Sequence, residues 1–276
     1  MASPIPVALD RLQGDRSRIE AELKSILEPG ERPRCLFERA MSYAVLGQGQ
    51  RIRPVFALRV ARLAGADNRL ILRAAAAVEL LHCASLVVDD LPSMDNERLR
   101  RGRPTVHVAF GEATAILAAF GLVALAARTV VDQRCSPTEM SSLIAFQLEL
   151  LRVLDASGLC EGQDLDLRLC GAERQYRRRH VIELKTVPLF ILAAQAGLMF
   201  AEAGSPLAAG VRRFAREFGL AFQLVDDWLD GELADFSPVG DQLQKTRSIL
   251  DAFAPAGAEL AELLDYLHER SRQKTA

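Results

Sequence analysis

Residues Leu80–His107 read LLHCASLVVDDLPSMDNERLRRGRPTVH. The stretch begins as an apolar helix and ends in carboxylates: Asp89 and Asp90, then Asp95, with the pair Arg100 and Arg101 following. A helix C-terminus carries partial negative charge, so acidic side chains there need cations. The two arginines are one source. A hard divalent metal suits the oxygen-only set better. Far downstream, Phe222-Gln223-Leu224-Val225-Asp226-Asp227-Trp228-Leu229-Asp230 again sets carboxylates into an apolar helical pattern. Asp226 and Asp230 are spaced i, i+4 and share one helix face.

Helical periodicity runs outward from both segments. A long helix over 69–88 delivers the first acidic cluster and another over 206–229 the second. Further helices are expected over 7–27, from Pro33 to Val45, over 51–63, 112–131, 137–154, 161–169 and 173–200, and in a tail over 243–272 interrupted at Pro255. Pro92 to Phe110 reads as a basic loop. No stretch alternates as a strand between turn signals. No repeat or linker divides the chain. The expectation is an all-α fold with one domain spanning 1–276, a bundle of ten or more helices around a central cavity.

Composition agrees. Half of the 276 residues are hydrophobic, mostly alanine and leucine, so a sizeable helical core is possible. A net charge of −2 argues against a general nucleic-acid binder. The five cysteines are odd in number and lack a CxxC spacing, which reads as reduced thiols in a cytoplasmic protein. The N-terminal MASPIPVALDRLQGDR lacks the pattern of a signal peptide. The longest apolar run, Ala113–Ala127, is shorter than the roughly twenty residues of a membrane span and reads as a fully buried helix.

Two acid clusters with arginines nearby describe a magnesium–diphosphate site. Magnesium prefers carboxylate and phosphate oxygens and keeps several waters, and arginine forks satisfy the remaining phosphate oxygens. Leu80, Leu81, Leu86, Val87, Phe222 and Val225 form an apolar wall beside the acids. A polar mouth on an apolar cavity suits a hydrocarbon bearing a diphosphate.

The two acidic motifs, with GQGQRIRP at 47–54, LLHCAS at 80–85, EGQDLDL at 161–167 and ELKT at 183–186, resemble those of the trans-isoprenyl diphosphate synthases, in the family's order. The resemblance implies a magnesium-dependent prenyltransferase of isoprenoid biosynthesis that condenses isopentenyl diphosphate with an allylic diphosphate. It implies three Mg2+ ions on Asp89, Asp95 and Asp226, supported by Asp90, Asp227 and Asp230, with Lys185 counted alongside these aspartates as catalytic. Arg100, Lys185, Thr186 and Gln223 would hold the allylic diphosphate, and Arg53, His82 and Arg101 the isopentenyl diphosphate. A homodimer through the helix of Ala113–Ala127 is also implied. Where bulky aromatics in the family stop growth at fifteen carbons, this chain has Ala84 and Ser85, so geranylgeranyl diphosphate is the expected product, with Ala84 as floor or else Phe120.

Three positions depart from the family pattern. Gln50 stands where a lysine would meet isopentenyl diphosphate, a loss on the order of 1–2 kcal/mol if the contact is charge-assisted. The segment after Asp230 is short, with Lys245 as its lysine, and Val88 stands where histidine is common. These departures leave two rivals: a class I terpene cyclase, and a non-catalytic partner subunit of an active synthase. The run Arg177-Arg178-Arg179-His180 reads as a solvated face, and Gln163 with Asp166 as a polar pair or cap.

Overall fold

The computed structural model describes residues 12–28, 30, 34–131, 135–156, 158–202 and 204–274. Its helices are α1 (Gln13–Leu27), α2 (Leu36–Val45), α3 (Ile52–Leu63), α4 (Arg69–Asp89), α5 (Val106–Phe110), α6 (Glu112–Val130), α7 (Pro137–Arg152), α8 (Leu159–Arg168), α9 (Gly171–Lys185), α10 (Val187–Gly197), α11 (Pro206–Leu229), α12 (Ser237–Leu250) and α13 (Ala258–Ser271). The expected helix starts at Val7 and Pro33 lie outside the described residues.

Helix α4 is the axis of the bundle. Asn68 starts it by accepting the Ile71 N–H at 3.0 Å. It then packs on α1, α2, α3, α6 and α10. Apolar residues surround it because neighbours do, and its C-terminal turn emerges carrying Asp89. Helix α11 is the second axis, against α9, α10, α12 and α13, and ends at the other acidic cluster.

Five phenylalanines tie α11 to α3 and α10, both of which pack on α4. Phe56 of α3 stacks on Phe214 of α11 at 5.8 Å and meets Phe218 at 5.3 Å. Phe190 of α10 meets Phe218 and Phe222, each at 5.3 Å. Such pairs contribute roughly 0.5–1.5 kcal/mol each beyond simple burial. Helices α3 and α10 approach closely because position 197 is glycine: a Cβ there would lie 2.5 Å from the Ala57 carbonyl oxygen.

Four expectations are corrected. The helix over 173–200 is two helices, parted at Thr186, since Pro188 lacks the N–H that would continue the ladder. The basic loop holds a two-residue antiparallel ladder, β1 (Leu99–Arg100) with β2 (Arg103–Pro104). Arg101 and Gly102 turn it with φ of 53° and 75°, the positive pair that suits the twist of a tight hairpin. The tail helix begins earlier, at Ser237, and is interrupted between Asp251 and Gly257. Helix α6 is not buried all round: Ile116, Leu117 and Phe120 are 43%, 56% and 70% exposed. By length and composition alone α4 and α6 are long and apolar enough to cross a membrane; within the fold 72% of the α4 window and 44% of the α6 window is buried.

Candidate active site

The C-terminal turns of α4 and α11 open into one cleft of about 1930 Å³. Thirteen of the fourteen residues singled out from the sequence line it: Gln50, Arg53, His82, Asp89, Asp95, Arg100, Arg101, Lys185, Thr186, Gln223, Asp226, Asp227 and Asp230. Asp90 does not. Its side chain is buried beneath Arg100, which donates to Asp90 Oδ1 from Nε at 2.7 Å. Adjacent helical residues point about 100° apart, so Asp89 and Asp90 cannot both face the cleft squarely. Of the expected apolar wall, Leu86 and Phe222 line the cleft, whereas Leu80, Leu81, Val87 and Val225 belong to the packed core.

Around the first cluster, Gln163 Nε2 donates to Asp95 Oδ1 at 3.2 Å, and Lys185 Nζ to Asp166 Oδ2 at 2.8 Å. The supposed Gln163–Asp166 pair is thus two separate contacts. Burial pushes the Asp89 carboxyl up to about 6; Lys185 opposes the shift and Asp95 adds to it. The Asp89 side chain accepts no hydrogen bond among the described residues, so its charge is poorly compensated.

The second cluster is held by cations that the sequence reading missed. Arg178 donates from Nε to Asp227 Oδ2 at 2.8 Å and from Nη2 to Glu232 Oε2 at 2.7 Å. It belongs to the run read as a solvated face. A signal did exist: Arg178 lies two turns before Lys185, and with Val181 and Ile182 it shares the face of α9 that lines the cleft. Arg270, from α13, bonds Asp226. No motif in the tail pointed to it. Lys245, by contrast, is drawn away to Glu217 at 2.9 Å and does not line the cleft. Gln223 accepts from the Thr186 hydroxyl at 2.7 Å and donates to Asp227 Oδ1 at 2.9 Å. Burial raises the carboxyl pKa of both Asp226 and Asp227, opposed by Arg270 at the first and by Gln223 and Arg178 at the second.

Another wall is basic. Arg53 Nη1 approaches His82 Nε2 at 3.3 Å while its guanidinium lies over Phe190 and Phe222 at 5.0 and 5.4 Å. Arginine can only donate, so Nε2 accepts and the His82 proton sits on Nδ1. Burial, then Arg53, holds His82 well below its ordinary pKa, hence neutral near pH 7. Ser85 lines the cleft; Ala84 is 2% exposed within the core, and Phe120 is on the outer face of α6. Neither alternative for the floor reaches the cleft wall.

The donor chemistry fits magnesium. Asp89, Asp95, Asp226 and Asp230 line the cleft, and the Asp89 carboxylate accepts no hydrogen bond among the described residues. Among the described residues no three His, Cys, Asp or Glu side chains converge tightly enough to hold an ion by themselves. That also suits magnesium, which is commonly held by one or two carboxylates and completed by water and phosphate oxygens.

Comparison with known proteins agrees with this geometry. The polyprenyl synthetase family model matches residues 34–237. The chain is 36% identical over 258 residues to the farnesyl diphosphate synthase of Geobacillus stearothermophilus, covering 91% of this chain and 84% of that one. It is 40% identical over 196 residues to geranylgeranyl pyrophosphate synthase 4 of Arabidopsis thaliana, covering 70% of this chain and 52% of that protein. The match thus spans about half the length of the plant relative. Among solved structures, a geranyltransferase from Legionella pneumophila superposes with a TM-score of 0.87 at 31% identity, covering 96% and 98% of the two chains. A cleft walled by aspartates on two helices and by arginines beside them, in a chain matched along most of its length, has one reading: this protein belongs to the polyprenyl synthetase family.

Proposed function

We propose that this protein is a magnesium-dependent trans-prenyltransferase that joins isopentenyl diphosphate to an allylic diphosphate, with geranylgeranyl diphosphate as its main product. The observation that carries the proposal is the meeting of both acidic clusters and the basic wall in one cleft. Magnesium bound at Asp89, Asp95, Asp226 and Asp230 would supply positive charge to the leaving diphosphate; we take the number of ions to be three.

The protein's own groups divide the remaining work. Asp227 is engaged by Arg178 and Gln223, so it orients the turn rather than facing a ligand freely. Asp90 fixes Arg100 in the same manner. Lys185 and Arg100 line the cleft as donors for the allylic diphosphate, with Thr186 and Gln223 holding the break between α9 and α10 against α11. As the allylic C1–O bond breaks, the double bond of isopentenyl diphosphate forms the new C–C bond, and loss of a proton restores an alkene. Neutral His82 and the charged Arg53 and Arg101 would position that second substrate. Small Ser85 on the cleft wall supports a twenty-carbon product.

The exposed apolar side chains of α6, joined by Ile144, Leu148 and Leu151 of α7 at 48%, 51% and 45% exposure, support a homodimer. No disulfide joins the described cysteines, in keeping with a cytoplasmic site of action. Pure protein incubated with farnesyl diphosphate, magnesium and labelled isopentenyl diphosphate should yield a labelled twenty-carbon diphosphate. A hydrocarbon formed without isopentenyl diphosphate would favour a cyclase, and no turnover a partner subunit.

A further inference from the structure

The turn over 47–50 is encircled by guanidinium groups. Three successive carbonyls accept from three different arginines: Gly47 from Arg51 Nη2 at 2.8 Å, Gln48 from Arg101 Nη1 at 2.9 Å, and Gly49 from Arg16 Nη2 at 3.1 Å. Such crowding requires glycine at 49, where a Cβ would stand 2.4 Å from Arg101 Nη1 and 2.8 Å from Arg51 Nη1. Like charges packed this closely repel, and each needs a compensating anion. Arg51 has Glu79, buried with it at 2.8 Å. Arg16 has nothing comparable: Glu20 stands 3.9 Å from its Nη2, and also 3.9 Å from Arg51 Nε.

Three donors on this wall are left without acceptors. The Nε atoms of Arg16, Arg51 and Arg53 are all buried and have no hydrogen-bond partner among the described residues. All three side chains line the cleft, together with Gln50, His82 and Arg101. A buried N–H without an acceptor is costly to leave unmade. Several such donors beside excess positive charge form a receptor for a multivalent oxyanion.

We propose that Arg16, on α1, is a binding residue for the diphosphate of isopentenyl diphosphate and supplies the positive charge that Gln50 lacks. The inference rests on the function proposed above. Arg16 and Gln50 line the same cleft, and Arg16 holds the carbonyl of Gly49, the residue next to Gln50. A cation at 50 could therefore substitute for one at 16.

The test is a two-residue exchange. Arg16→Gln should raise the KM for isopentenyl diphosphate about tenfold, the effect of losing one charge-assisted contact, with the allylic KM and the melting temperature little changed. Adding Gln50→Lys to Arg16→Gln should recover most of that loss, and Arg16→Lys should lose less than Arg16→Gln. An unchanged KM for isopentenyl diphosphate, or equal rises in both KM values, would overturn the assignment, as would failure of Gln50→Lys to rescue. Calorimetric titration of isopentenyl diphosphate into wild type and Arg16→Gln reads the same contact without turnover. Should the wild type prove inactive, weaker binding by the variant would uphold Arg16 while the proposed activity falls; equal binding, or no binding by either, would overturn the role of Arg16.

Discussion

Asp89 concentrates the physical tension of the site. Its carboxyl is pushed up to about 6 by burial, from an ordinary value of 3.8. The folded, metal-free protein therefore binds this proton more tightly than the unfolded chain does. Its contribution to stability is most favourable below about pH 4 and is lost as pH rises through 6. Asp89→Asn removes the titration. In chelator, the variant should melt higher than wild type at pH 7, and its loss of stability between pH 4 and 6 should be shallower; with magnesium its turnover should fall by orders of magnitude. Calorimetry across pH checks the first half, and a variant that melts lower at pH 7 would show that the charge is already compensated. At this scale the sequence was partly legible. Spacing identified Asp226 and Asp230 as one helical face, but the partners Arg178 and Arg270 come from other helices, and only packing brings them to Asp227 and Asp226.

Helix α4 works as a rod that carries the site at one end and a wall of the cleft one turn earlier. Residues three and four apart stack on a helix, which sets Ser85 beneath Asp89 and leaves Ala84 to the core. A bulky side chain is therefore expected to act at 85. Ser85→Phe should shorten the main product from twenty carbons to fifteen, read by chromatography of the dephosphorylated products. Ala84→Phe should instead overpack the core at a cost of about 1–3 kcal/mol. An unchanged product with Ser85→Phe would mean that the hydrocarbon leaves the cleft by a different wall. The existence of α4, α6 and α11 was plain from periodicity over long windows. The break at Thr186 was less so, because apolar residues continue through it, although Pro188 marks where the ladder must fail.

At the scale of the whole molecule, the apolar faces of α6 and α7 stay exposed among the described residues. Light scattering at micromolar concentration should give the mass of two chains, and Phe120→Asp should shift it toward one. A monomeric wild type would leave those faces for another partner. What the sequence determined by itself is local in origin: helix periods, the two acidic spacings, and the glycine and proline punctuation all act through neighbours in the chain. These sufficed for the all-α class and for the two acidic clusters, while the other cleft-lining candidates came from the resemblance to a known family. The tertiary structure alone decided which way each side chain faces and what neutralises it. It turned Asp90 inward, drew Lys245 to Glu217, brought Arg178 and Arg270 to the second cluster, and set Arg16 against Gly49. Those outcomes depend on contacts between residues distant in sequence, and charge is compensated through space, without regard to order along the chain.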